Sequence, residues 1–317
     1  PPYTPVSLGV FAGRETGAHF APTRRTPMHR WHVDAGAVVA ATGLWLRPRA
    51  YPNPGESLSD ATQREALAVR NGAGLVDIST LGKIEIQGAA AIELLDRVYT
   101  NGWKSLEVGR CRYGLMLRED GMVFDDGTTS RIAEDHYYMT TTTANAAVVM
   151  RHLEFALQVL WPDLDAHALS VTDQWAGMAL SGPNSRNILA ALVDDTNVGD
   201  RAMPFLAYRE GTVAEVPARL FRISYSGELA YEIHVPADQG LAVWQAVMDA
   251  GQPYGIVPYG TEAMGVLRME KGHVVVGAEI DGRTTAGDLG LGRMLSRHKD
   301  FIGKRSVSRP GLNDPAR

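Results

Sequence analysis

The chain has 317 residues, 45% of them hydrophobic, and a formal net charge of −5, enough length for two ordinary cores. The mildly acidic balance with scattered Lys and Arg leaves no nucleic-acid footprint. The longest apolar stretch, AGAVVAATGLWL, is about half of what a bilayer crossing needs, so neither nucleic acid nor a membrane is expected as a partner. One cysteine, Cys111, excludes an internal disulfide framework, fits a reducing, cytoplasmic compartment, and reads as a buried, inert thiol.

In chain order, residues 1–24 carry turn residues and bases without periodicity and read as a linker or surface arm. AVVAATGLWL reads as a buried strand or helix, and RPRAYPNPGE as a proline-broken connection. Residues 59–75 form a helix capped by Ser59 or Asp60 and stopped at Asn71–Gly72. KIEIQG alternates as a strand and AAAIELLDRVYTN follows as a helix. This strand–Gly–helix unit recurs in MALSGPNSRNILAAL, with Leu94–Leu95 after Gly88 matched by Ile188–Leu189 after Gly182. The recurrence is either chance or the mark of two related halves with a site between them.

RYGLML, MVFDDGTTSRI and HYYMTTTT follow as an antiparallel meander. ANAAVVMRHLEFALQVLWPDL is an amphipathic helix, apolar at Val149, Leu153, Ala156, Leu157 and Leu160 and ended by Pro162. A hairpin turns at Ser226–Gly227, and QGLAVWQAVMDAGQPYG adds another amphipathic helix. The pattern is α+β with mixed, largely antiparallel sheets.

No Rossmann, P-loop, HExxH, CxxC or GxSxG signature is present. His29 and His32 flank Trp31, and a surface or interface role suits that pair better than metal ligation. What remains are acids and tyrosines on strand candidates. Asp125 and Asp126 are adjacent negative charges after MVF, so they are either a solvated loop or a pair with one member turned inward. Tyr113 precedes them; Tyr225, Glu228 and Glu232 cluster on the later hairpin, where Glu228 and Glu232 share a face of a regular strand.

RTPMHRWHVDAGA, LAVRNGAGLVDISTLGKIEIQG, RVYTNGW, RYGLMLREDGMVFDDG, VTDQWAGMALSGP, FRISYSGELAYEIHVPA and VLRMEKGHVVVGAEIDGRTTAGDLGLG occur in this order. Together they resemble the folate-dependent aminomethyltransferase family typified by the glycine-cleavage T-protein. The VDISTLGK, VTDQW and YSGELAYE variants are most similar to the branch found in heterotetrameric sarcosine oxidase α subunits. The resemblance implies a folate-binding region over residues 25–305 in two interleaved lobes, about 25–76 plus 166–265 and about 77–165 plus 266–305. Residues 306–317 would begin a truncated C-terminal segment, with the family's small β domain beyond it, and both ends read as cuts in a larger polypeptide.

The resemblance also implies site roles. Asp126 matches the carboxylate beside the folate nitrogen that accepts the one-carbon unit, with Asp125 as a turn-forming partner pointing away. Glu232 matches the acid at the pterin edge, and Tyr113 and Tyr225 match pocket aromatics. Thr142 falls where the T-protein has an Asn. Arg268 stands nearest the family's tail-holding Arg, and His273 nearest a pocket tyrosine. The implied cofactor is tetrahydrofolate; flavin and NAD are expected only in absent domains or partner subunits, above all a flavin-bearing β subunit. The implied activity is capture of a formaldehyde-level carbon from sarcosine oxidation as 5,10-methylenetetrahydrofolate. A stand-alone aminomethyltransferase, a folate-dependent demethylase or a non-catalytic folate-binding or structural module are the competing readings.

Overall fold

A computed structural model describes residues 23–312. Residues 1–22 of the expected arm and 313–317 of the expected C-terminal segment lie outside it.

Helix α1 (His29–Asp34) leads into β1 (Val38–Thr42) and β2 (Trp45–Ala50). AVVAATGLWL is therefore a hairpin rather than one buried element: Thr42 pairs with Trp45, and Gly43 at φ 59° closes the two-residue turn. Helix α2 (Leu58–Asn71) is capped by Ser57, whose hydroxyl accepts from the Asp60 N–H at 3.1 Å. Ser59 and Asp60 cannot cap it, because Leu58 already has helical geometry and the cap must precede the first helical residue.

The chain continues through β3 (Gly74–Asp77), β4 (Gly82–Gln87), α3 (Ala91–Val98), β5 (Cys111–Leu117), β6 (Val123–Ala133), β7 (His136–Thr141) and α4 (Ala146–Phe155). Beyond α4 a π turn spans Ala156–Leu160, so Val149, Leu153 and Ala156 are buried while Leu160 is exposed. The widened turn rotates the last expected apolar position away from the core. There follow β8 (His167–Ser170), β9 (Trp175–Ser181), α5 (Ser185–Ala190), β10 (Tyr208–Val213), β11 (Val216–Phe221) and β12 (Ala230–Pro236). The described chain closes with α6 (Gly240–Gly251), β13 (Val257–Pro258), α7 (Thr261–Lys271) and α8 (Lys304–Val307).

The result is α+β. One six-stranded sheet has the order β10-β11-β12-β9-β3-β13, antiparallel except where β13 joins β3. A second, five-stranded sheet has the order β5-β6-β7-β4-β8 and is antiparallel throughout. The recurring strand–Gly–helix unit appears once in each, as β4–Gly88–α3 and β9–Gly182–α5. Both glycines have positive φ, 122° and 115°, and a Cβ on either would overlap a main-chain oxygen, Asp165 O or Val69 O. Leu94 and Leu95 of α3 and Ile188 and Leu189 of α5 are fully buried, each contributing about 2 kcal/mol over an exposed position.

The two sheets meet along a seam. Tyr138 of β7 shares a 2.9 Å hydrogen bond with His234 of β12, and Arg219 of β11 pairs with Glu85 of β4 at 2.8 Å. Cys111, Tyr138, Tyr208 and Phe221 pack across the same seam. β8 stays with the second sheet through residue 170, and α7 packs through Ala263 and Leu267 on Val76 and Ile78. Among the described residues no helix is long and apolar enough to cross a membrane.

Candidate active site

The meander β5–β6–β7 positions the acidic pair. Asp120 makes the preceding turn, accepting from the Met122 N–H at 3.1 Å, with Gly121 at φ 90°. Strand β6 therefore begins at Val123 and carries both acids inside it, on opposite faces. This corrects the expectation for Asp125. It is no turn residue but a fully buried carboxylate, taking the Asn145 amide on Oδ1 at 3.2 Å and the Thr142 N–H on Oδ2 at 3.3 Å. Burial, aided by the charge of Asp126, pushes its carboxyl up to about 7. Thr142 is thus placed by Asp125.

Asp126 lies opposite Leu115 on β5, so Tyr113 is its diagonal neighbour, and the Tyr113 hydroxyl donates to Asp126 Oδ2 at 2.7 Å. Burial raises the Asp126 carboxyl, while the Tyr113 hydrogen bond and the charge of His273 pull it back. Burial and the adjacent carboxylate push the Tyr113 phenol well up, so it stays a donor.

Tyr225 approaches from the turn before β12. Its hydroxyl donates to Val274 O at 3.1 Å, and its ring stacks on His273 with centroids 5.7 Å apart and planes 21° from parallel. His273 Nδ1 lies 3.1 Å from Tyr225 O, which only accepts, so Nδ1 carries the proton. Burial raises the Tyr225 phenol to about 12, and Asp126 is among the charges acting on it. Arg268, buried on α7, donates to His273 O at 3.0 Å and to Glu279 Oε2 at 2.7 Å. It buckles the segment that carries His273.

Tyr113, Asp126, Tyr225, His273 and Arg268 thus form one neighbourhood, with Thr142 behind it. Glu232 belongs to another. It faces His234 across 3.6 Å on β12, and its charge acts on Lys83, Cys111, Tyr138 and Tyr259. Among the described residues no hydrogen bond or ion pair joins Glu232 to the Asp126 group. Glu228 does not share its setting either, because the turn hands Glu228 to Arg70.

Burial raises the Cys111 thiol to about 12, consistent with an inert position. His32 is a correction: it is a core residue, not a surface or interface group. Its Nε2 lies 3.0 Å from Asp77 Oδ2, and Tyr51 OH lies 2.8 Å from its Nδ1. The amphipathic turn of α1 packs this ring edge-on against Trp244, 4.9 Å between centroids. Burial alone would raise the Asp77 carboxyl, but the His32 hydrogen bond and charge hold it low.

One residue beside the acidic pair went unread in the sequence. Asn145 follows the Thr run as an ordinary helix-start residue, and only the fold brings it to Asp125. A separate cleft of about 690 Å³, lined by Arg24, Trp45, Asp173 and Trp175 among others, shares no residue with this cluster.

The fold thus brings together a carboxylate desolvated inside a strand, a phenol hydrogen-bonded to it, and a stacked Tyr225–His273 pair. The GCVT N-terminal domain model matches residues 28–299, and the chain belongs to that family, with the aminomethyltransferase fold. It is 34% identical to an aminomethyltransferase of Streptomyces coelicolor over 287 residues, 90% of this chain and 73% of that one. The glycine cleavage system aminomethyltransferase T of Bartonella henselae has the same fold, with TM-score 0.78 over 90% of this chain and 74% of that chain at 24% identity. Within the family the chain is similar to sarcosine oxidase subunit alpha. It is 52% identical to that of Rhizobium meliloti (strain 1021) over 321 residues and 50% identical to that of Corynebacterium sp. (strain U-96) over 309. These alignments cover 100% and 97% of this chain but 32% of each subunit, so the chain spans about a third of their length.

Proposed function

We propose that this chain is the tetrahydrofolate-binding, one-carbon-transfer region of a sarcosine-oxidase-type assembly. It would take up the imine- or formaldehyde-level carbon released when another part of the assembly oxidises sarcosine, yielding 5,10-methylenetetrahydrofolate. The flavin-bearing β subunit is the proposed source of that carbon. Support comes from half-identity to sarcosine oxidase α subunits along nearly the whole chain, and from one observation above others. Asp126 is a desolvated carboxylate whose Oδ2 is fixed by the Tyr113 hydroxyl.

The residues present fit a reduced pterin. The acceptor Asp126 suits its N–H groups. The Tyr225–His273 stack offers aromatic faces at 5.7 Å spacing. Tetrahydrofolate, when bound, supplies the two nitrogens that accept the carbon. Asp126 would orient one of those amines, accept its proton and stabilise positive charge on the arriving carbon. Tyr113 keeps that carboxylate in one rotamer and favours its charged form. Asp125 holds Thr142 behind Asp126 through the Thr142 N–H.

The test is Asp126→Asn in the full-length protein, with tetrahydrofolate affinity followed by calorimetry and carbon capture by methylenetetrahydrofolate formation. The expected outcome is folate affinity within about threefold of wild type and transfer reduced by about 10²–10⁴. Unchanged transfer would refute the assignment, and no folate binding by the wild type would refute the folate reading as a whole.

A further inference from the structure

Charge is unevenly placed along the chain. The formal net charge is −5, yet residues 293–309 carry six Lys or Arg against one acid, Asp300. Within that stretch Arg293, Leu295, Ser296, Arg297 and His298 line an open cleft of about 460 Å³. Arg293, Arg297 and His298 are exposed, and among the described residues no hydrogen bond or ion pair engages either guanidinium. Burial lowers the neighbouring Lys299 ammonium to about 8, and the like charges of Lys304 and Lys104 add to that against the pull of Asp96. A field of one sign, unanswered within the chain, draws an anion.

Contacts join this cleft to the Asp126 group. The Ser296 N–H donates to Thr100 O at 3.0 Å, and the Thr100 N–H donates to Leu115 O at 2.9 Å. Leu115 stands directly opposite Asp126 in the β5–β6 pair, so the two share a face. The Asn101 amide donates to Tyr113 O at 2.9 Å. Met294 and Leu295 pack on the apolar cluster that contains Leu115. The Thr100 segment therefore lies two strand spacings, about 10 Å, from the Asp126 backbone, and Ser296 of the cleft meets that segment.

Tetrahydrofolate is itself an anion. One of its carbon-accepting nitrogens bears the p-aminobenzoyl-glutamyl arm, whose carboxylates extend away from the reacting end. Arg268 is buried and already donates to His273 O and Glu279 Oε2, so the charge of the arm is met elsewhere. A single exposed ion pair shifts affinity by no more than about fivefold. Carboxylates linked in series on one ligand add such contacts at high effective concentration, without a new encounter for each.

We infer that this cleft binds the further γ-linked glutamates of an oligoglutamyl tetrahydrofolate, with Arg293 and Arg297 meeting their carboxylates and His298 offering another N–H. This rests on the folate reading above and adds to it the form of the substrate, a tail of several glutamates in place of one. No bond forms or breaks in the cleft, so both arginines act in binding alone.

The experiment titrates tetrahydropteroyl-monoglutamate and tetrahydropteroyl-pentaglutamate into the full-length protein by calorimetry. Wild type is expected to bind the pentaglutamate at least about tenfold more tightly at about 50 mM salt. The gap should shrink to under about threefold at about 500 mM. Arg293→Glu combined with Arg297→Glu is expected to abolish the gap, and Arg293→Lys combined with Arg297→Lys to keep most of it. Equal affinities at wild type overturn the inference, and so does a gap that survives both Glu substitutions. Subunit association of the same variants is followed by size-exclusion chromatography. An assembly that falls apart while the gap stays intact would assign the cleft to an acidic face of another subunit, and also overturns the inference. Monoglutamate binding without a gap overturns this inference alone, whereas binding of neither ligand at wild type overturns the underlying reading as well.

Discussion

Asp125→Asn converts a strongly perturbed carboxyl of the site into a measurable pH effect. In the folded chain burial holds this carboxyl at about 7, against an ordinary value of 3.8, whereas the unfolded chain releases its proton near the ordinary value. Between those two values the folded state holds a proton that the unfolded state has lost, so stability falls as pH rises and levels off above about 7. The full difference corresponds to about 4 kcal/mol. Replacing Asp by Asn removes the titration while keeping size. Like the protonated acid, Asn offers one acceptor where Asp125 meets two donors, Thr142 N–H and the Asn145 amide. The variant should thus resemble the protonated wild type to within about 1 kcal/mol. Urea denaturation at several pH values reads the difference. Asp125→Asn is expected to be more stable than wild type at pH 8, with the gap growing by about 2–3 kcal/mol between pH 5 and pH 8. A gap that does not change with pH, or a variant less stable at pH 8, would refute the burial of an uncompensated acid at this position.

Tyr113→Phe removes the 2.7 Å hydrogen bond that favours the charged form of Asp126. The acid limb of the transfer-rate profile should move to higher pH and the maximal rate fall about tenfold, with folate affinity held within about threefold; an unmoved acid limb would exclude Tyr113 from tuning Asp126. Gly182→Ala places a Cβ against Val69 O and Gly72 O at φ 115°. It should cost at least about 3 kcal/mol by chemical denaturation, and a loss under about 1 kcal/mol would show that the β9–α5 junction is not tightly held.

Much of the fold was legible because it is written in local chemistry. The meander was readable from β-branched and aromatic runs between turn residues, as in HYYMTTTT, and α6 from its apolar spacing. The paired strand–Gly–helix units were readable because both glycines must take a backbone conformation that side chains resist. Local reading failed where two residue types compete for one role. Ser57, Ser59 and Asp60 are all good caps, and only the helix start selects Ser57. Asp120, Asp125 and Asp126 are all good turn formers, and only the hairpin register leaves the turn to Asp120.

By itself the sequence determined the fold class and the family, because strand alternation, helix periodicity and a set of ordered motifs are properties of neighbouring residues. Through the family resemblance of the segments that carry them, it also named Tyr113, Asp126, Tyr225 and His273 as candidates. The tertiary structure decided which charges are desolvated and which are answered. Asp125 is raised because β6 carries it under Thr142 and Asn145, and His32 is a core residue because it meets Asp77 from 45 positions away. Arg268 is committed to Glu279, whereas Arg47 is left with an unpartnered Nε. Burial and pairing are long-range properties, set by which strands lie side by side, and no window along the chain contains them.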